Sequence, residues 1–114
     1  MKKPANQVQL VGNLGAVPEL RTTEGNVPYI TFSLAENAGN KLNKETKKKE
    51  PKTRWHDCIA WGEQLTNLLK DLRKGEKLLV QGVLDYDTIE LEGRNRKFSK
   101  IVVHDFLYME PKTT

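Results

Sequence analysis

Between Thr53 and Leu72 the chain changes its period, and that change limits the fold more than any other feature. From Thr53 to Trp61 the residues alternate. The only two tryptophans, Trp55 and Trp61, are six residues apart, and on a strand an even separation puts both rings on one face. The other parity holds His56, Cys58 and Ala60, small or half-apolar residues that suit a core. After Gly62, Leu65, Leu68, Leu69 and Leu72 follow at i, i+3, i+4 and i+7, one stripe of a short amphipathic helix expected over roughly Glu63 to Arg73. Arg73 and Lys74 before Gly75 read as helix-stop chemistry. The unit is strand, glycine, helix, with two indoles on the strand face turned from the core.

Charge adds meaning to those rings. The chain carries +4, yet Lys41 to Arg54 alone carries seven Lys or Arg against two Glu, a net of +5. Positive charge is therefore concentrated in one polar stretch, Asn37 to Lys52, that runs directly into the tryptophan strand. Its length and composition predict a mobile basic loop, functional rather than structural. Its lysines, Lys47, Lys48, Lys49 and Lys52, have Leu42 as the one apolar anchor. Aromatic platforms beside flexible cations suit a single-stranded nucleic acid, because every base has a π-face and every nucleotide a phosphate. The competing readings are a packed tryptophan pair and a merely solvated loop.

The remaining chain reads as strands. Asn6 to Leu14 alternates, with Val8, Leu10 and Leu14 on one parity, and Gly12 suggests a bulge or sharp bend. Glu19 to Thr22 adds a short extended piece, and Thr23 to Asn26 is a turn. Val27 to Glu36 is the second strand, with Ile30, Phe32 and Leu34 facing one way. After the helix, Glu76 to Leu84 continues extended to Leu91, Glu92 to Asn95 is a hairpin turn, and Arg96 to Met109 is a long last strand. The order is three strands, one helix, two strands. It matches the all-β, five-stranded Greek-key OB barrel with one short helix between strands 3 and 4, and mid-strand glycines permit the necessary coiling.

Length and composition exclude much else. At 114 residues the chain makes one domain with one core, expected over 1–110, with a short tail at 111–114. No apolar run reaches the ~18 residues of a membrane span. The basic start, Met1 to Gln7, has no apolar stretch behind it and does not read as a secretory signal. The single Cys58 forms no internal disulfide and fits a reducing cytoplasm. His56, His104 and Cys58 lack the spacing of a metal site, and no Gly-rich phosphate loop is present. Asp85 and Asp87 read as solvent-facing charge rather than a hydrolytic pair. Neither catalysis nor a cofactor is expected.

Laid along the chain, the motifs are Asn6-x-Val8-x-Leu10-Val11-Gly12-Asn13-Leu14-Gly15, Pro18-Glu19-x-Arg21, Phe32-x-Leu34-Ala35, Trp55-His56-x3-Ala60-Trp61-Gly62, Leu72-Arg73-Lys74-Gly75 and Gln81-Gly82-x-Leu84. Together these resemble the bacterial single-stranded DNA-binding proteins of replication, recombination and repair, over about Asn6 to Tyr108. The resemblance implies an OB fold that wraps single-stranded DNA around a homotetramer, or at least a dimer. It implies that Trp55 stacks on a base, and that Trp61 takes the place of a second stacking aromatic. Arg21 and Lys74 match basic positions near the DNA path. His56 matches a subunit-interface histidine, and the family match at Asn6 to Leu14 puts Val8 and Leu10 in the same role. Further contacts are expected from Arg54, Tyr86 and the hairpin cluster Arg94, Arg96 and Lys100.

Three departures stand out. Asn37 to Asn40 holds no aromatic where the family often has one. Asp85 to Ile89 is acidic, with Tyr86 its only ring. The sequence stops at Thr114 without the family's acidic tip, so recruitment of replication proteins by that route is not expected. The alternative readings are a related primosomal or RNA-binding OB protein and a protein–protein interaction module.

Overall fold

The computed structural model describes residues 5–110; the start at 1–4 and the tail expected at 111–114 lie outside them. The elements are β1 (Val8–Leu14), β2 (Glu19–Thr22), β3 (Pro28–Leu42), β4 (Lys49–Trp61), α1 (Glu63–Leu69), β5 (Lys77–Leu91) and β6 (Arg94–Glu110). The sheet runs β1-β5-β6-β4-β3 and closes by pairing β3 back onto β1, while β2 adds to the free side of β3. Only β4–β6 is parallel among these pairings. Five strands thus form a ring, and the short piece at Glu19–Thr22 is an attachment to it.

The ring closes because one parity of every long strand is apolar. Leu10 and Leu14 of β1, Ile30, Phe32 and Leu34 of β3, Cys58 and Ala60 of β4, Leu78 and Val80 of β5, and Ile101 and Val103 of β6 are all buried in one cluster. A one-residue slip in any of them would turn that set outward. β1 passes through Gly12 with unbroken register against β5, then turns to β3 at Asn13 and Leu14. The glycine marks a bend rather than a bulge. The slips lie between β5 and β6, at Gln81/Gly82 and at Lys77/Leu78, where His104 and Met109 are the extra residues on β6.

α1 is shorter than its leucine pattern indicates, ending at Leu69 rather than near Arg73. Leu69 is fully buried, and Leu65 and Leu72 pack against the core, but Leu68 is 58% exposed. Thr66 is buried instead, its hydroxyl donating to the Glu63 carbonyl at 3.2 Å. A helix of about two turns at the mouth of a ring touches it along a narrow arc, and Leu68 falls beside that arc. Gly75 does not stop the helix. It docks the following turn on β1, donating its N–H to the Leu14 carbonyl at 2.8 Å.

The basic loop expected over Asn37–Lys52 is mostly a hairpin. β3 runs on to Leu42, β4 begins at Lys49, and the two pair to the end, with a shift between Asn37 and Asn40. Asn43 organises the tip: its Oδ1 accepts from the N–H groups of Glu45 and Thr46, and its Nδ2 donates to Glu50 at 2.9 Å. Leu42 is 62% exposed and anchors nothing. Polar residues extend a ladder as well as apolar ones do, because the ladder is made by the backbone. The second hairpin, β5–β6, turns through Glu92 and Gly93, both at positive φ (52° and 75°), as a two-residue type I′ turn requires. Both arms reach past the ring. The radius of gyration is 16.4 Å, against about 13 Å for a compact chain of this size.

Cys58 lies at the centre of this core, where burial, reinforced by the charge of Asp57, pushes its thiol up to about 12. A thiol is inert until it ionises. We expect Ellman's reagent at pH 8 to label Cys58 only as fast as the protein opens, and at once in urea. Labelling at the rate of a free thiol in the native protein would contradict the burial. The same shift makes folding stability fall as pH climbs from 9 towards 12, because only the unfolded chain then releases the proton.

Candidate nucleic-acid interface

The register of β3 against β4 sets the outward face. Tyr29 pairs with Trp61, Thr31 with Ile59, Ser33 with Asp57 and Ala35 with Trp55. These residues have the parity opposite to the core set, so both tryptophans project outward, Trp55 at 63% and Trp61 at 44% exposure. Trp55 lies across Gly15, where any β-carbon would collide with its ring. Gly15 in turn donates its N–H to the Ser33 carbonyl at 3.0 Å. The turn carrying Lys74 is tied to the same place through Leu14 and Asn13.

At the other end, Arg21 of β2, Tyr29 of β3 and Trp61 of β4 make one cross-strand row. The Tyr29 and Trp61 rings are 4.8 Å apart and tilted by 31°, a favourable offset contact. One side of Trp61 is thereby occupied. Arg21 is held by Glu19 at 2.9 Å. The hydrogen bond to Glu19, then its charge, raise the guanidinium pKa further above its ordinary value.

The other expected contacts divide between the two arms. Lys47, Lys48 and Lys49 occupy the tip of the β3–β4 arm, with Lys52 further down it. Arg54 and His56 have the parity of Cys58, not of the tryptophans. Both turn to Glu36, with His56 Nε2 at 2.9 Å and Arg54 Nη1 at 3.8 Å from its carboxylate, so Arg54 is not brought together with Trp55. On the β5–β6 arm, unbroken pairing from Gly82 to Leu91 places Arg94, Arg96, Phe98 and Lys100 on one face and Tyr86 on the other. Lys100 grips both carboxylate oxygens of Asp87, at 2.9 and 3.0 Å.

For self-association, Val8 is half-buried against the core and Leu10 lies within it at 9% exposure. Leu10 is unavailable to a partner, because the outward parity of β1 is Gln9, Val11 and Asn13. Sequence reading left Tyr29 and Phe98 unassigned. Both sit at parities opposite to the core, which was the available signal.

Among the described residues no cluster of His, Cys, Asp or Glu is arranged to hold a metal, and no helix is long and apolar enough to cross a membrane. The surface is aromatic and cationic, and what it can do is stack and pair with charge.

Comparison with known proteins agrees. The profile of the Single-strand binding protein family matches residues 5–109, and the chain belongs to that family. It is 32% identical over 108 residues to single-stranded DNA-binding protein 1 of Xylella fastidiosa, covering 94% of this chain and 79% of that one. It is 32% identical over 111 residues to the single-stranded DNA-binding protein of onion yellows phytoplasma, covering 94% and 96%. The structure superposes on the Plasmodium falciparum SSB solved as a complex with ssDNA, with a TM-score of 0.79, 25% identity, and coverage of 96% and 99%. The ring of five strands with one helix is an OB fold.

Proposed function

We propose that this chain binds and protects single-stranded DNA without reading a defined sequence, as a binding protein and not an enzyme. Support comes above all from Trp55 and Trp61, exposed on one outward face of β4, with the cationic β3–β4 arm and the Arg94 and Arg96 face of the β5–β6 arm as sources of positive charge. Stacking supplies roughly 1–3 kcal/mol per base, and the arms supply phosphate contacts that carry no base identity. The relatives named as single-stranded DNA-binding proteins favour the same ligand. Its single buried thiol fits the reducing cytoplasm, where strands are exposed during replication, recombination and repair.

The reading is tested by titrating tryptophan fluorescence with oligo-dT, oligo-rU and duplex DNA at two salt concentrations. Oligo-dT should quench strongly and duplex should not. Equal affinity for duplex and single strand would refute the proposal, and tighter binding of rU than dT would favour the RNA alternative. In the same assay, changing Lys47, Lys48 and Lys49 to Ser should flatten the dependence of log K on log salt by about 2, at ~0.7 per phosphate contact on single strands. An unchanged slope would move the phosphate contacts to Arg21, Lys74, Arg94 and Arg96.

The proposal includes self-association, as a tetramer or at least a dimer. Val11, Leu79 and Leu107 make an outward row across β1, β5 and β6, with Val11 and Leu107 exposed and Met109 exposed nearby. Several rings give a longer path than the roughly 4–16 nucleotides of one OB fold. Light scattering showing a monomer at micromolar concentration would count against it.

A further inference from the structure

Trp55 and Trp61 are six residues apart on β4, a span of ~20 Å at about 3.3 Å per residue. A strand that stacks on both must carry at least one nucleotide over what lies between them. There β4 turns Asp57 and Ile59 outward, beside Ser33 and Thr31 of β3. These residues floor a groove of about 430 Å³, walled by Val17 on one side and by Phe98 of the β5–β6 arm on the other. Phe98 is 46% exposed although it faces this groove, so its ring is free to stack.

The groove is mismatched to phosphate. It is lined by the carboxylates of Glu19, Asp57 and Asp87 and a single amine, Lys100, which Asp87 already holds. Glu19 is held by Arg21. The Asp57 carboxylate has no hydrogen bond or ion pair among the described residues, and Ser33 and Thr31 stand beside it. Phosphates find Arg96 and Arg94 further along the face of the arm that carries Phe98, while the base is the part of a nucleotide that can enter. An acceptor-rich pocket selects bases whose pairing edge donates. Cytosine offers its N4 amine, whereas uracil and thymine offer O4, an acceptor, at the same place.

We infer that this groove is a base-binding subsite between the two tryptophans, in which Phe98 stacks on the base and Asp57 accepts from an exocyclic amine. The inference rests on the single-strand reading above. It adds a compositional preference to a surface that reads no defined sequence, and it makes Phe98 a stacking residue.

The test compares oligo-dC with oligo-dU of about eight nucleotides at pH 8. These two bases differ in the pairing edge but not in size. Wild type, Asp57→Asn and Phe98→Ala are titrated by fluorescence anisotropy of labelled strand. Because the amide both donates and accepts, Asp57→Asn should tighten dU and lower the dC-to-dU affinity ratio about tenfold relative to wild type. Phe98→Ala should weaken both strands by a similar factor. Strands that bind normally with the same ratio in wild type and Asp57→Asn would overturn the subsite and leave the single-strand reading standing. Failure of wild type to bind either strand would overturn both. Asp57 and Phe98 are exposed, and circular dichroism melts of the variants confirm that binding changes are read on folded protein.

Discussion

Replacing Trp55 and Trp61 together with alanine should weaken oligo-dT binding at least a hundredfold, read by anisotropy of a labelled strand because this variant has no tryptophan left to quench. Each indole is asked for only about 1.4 kcal/mol, a tenfold effect, near the low end of the ~1–3 kcal/mol measured for base–aromatic stacking. The single variants should not be equal in stability. Trp61 also contacts Tyr29 at 4.8 Å, so its loss removes an aromatic pair worth about 0.5–1.5 kcal/mol. Trp55 lies on Gly15 and is more exposed, so its removal should act mainly on binding. Phenylalanine at either position should restore most of the affinity, since the ring face is what matters. If neither alanine variant loses at least about tenfold in affinity, the outward face of β4 is not the platform.

Gly82→Ala is expected to be among the most destabilising single-methyl changes in the chain. A β-carbon at this position would fall on the backbone carbonyl of Val102, with the Cα of Val103 3.0 Å away. Backbone cannot rotate aside as a side chain does. The strand must separate from β6 at the point where their register slips, which is also where β5 leaves the ring for the arm. Overpacking in a well-packed core costs roughly 1–3 kcal/mol, and we expect the upper end or beyond. For a domain of this size 3 kcal/mol lowers Tm by roughly 10–20 °C. Gly93→Ala is the control, because nothing stands within 4 Å of its added carbon and only the positive φ of 75° opposes it. That costs about 1–2 kcal/mol. Equal losses from the two would show that Gly82 matters through conformational freedom rather than close approach.

The alternation in β1, β3 and β4 was legible because each strand buries one face. The parity of Trp55 and Trp61 against Cys58 and Ala60 followed from the same alternation, and it alone marked the binding face. Where burial ends, legibility ended with it. The β3–β4 arm is polar on both faces, so no period distinguished a hairpin from a loop between Asn37 and Lys52. Leu68 looked like core because helical spacing reports which residues share a face, not how wide an arc the neighbours cover.

By itself the sequence determined the element order, the core parity and the joining of two indoles to a concentrated positive charge, since all three are local properties of chain and side chain. Tertiary structure decided which residues meet. It sent Arg54 and His56 to Glu36, withdrew Leu10 into the core, stacked Tyr29 on Trp61 and brought Phe98 and Asp57 to one groove. Those pairings depend on the registers of β4 with β3 and of β5 with β6 and on the point at which β5 bends. Registers are set by the closure of the whole ring, a condition that no single stretch of sequence carries.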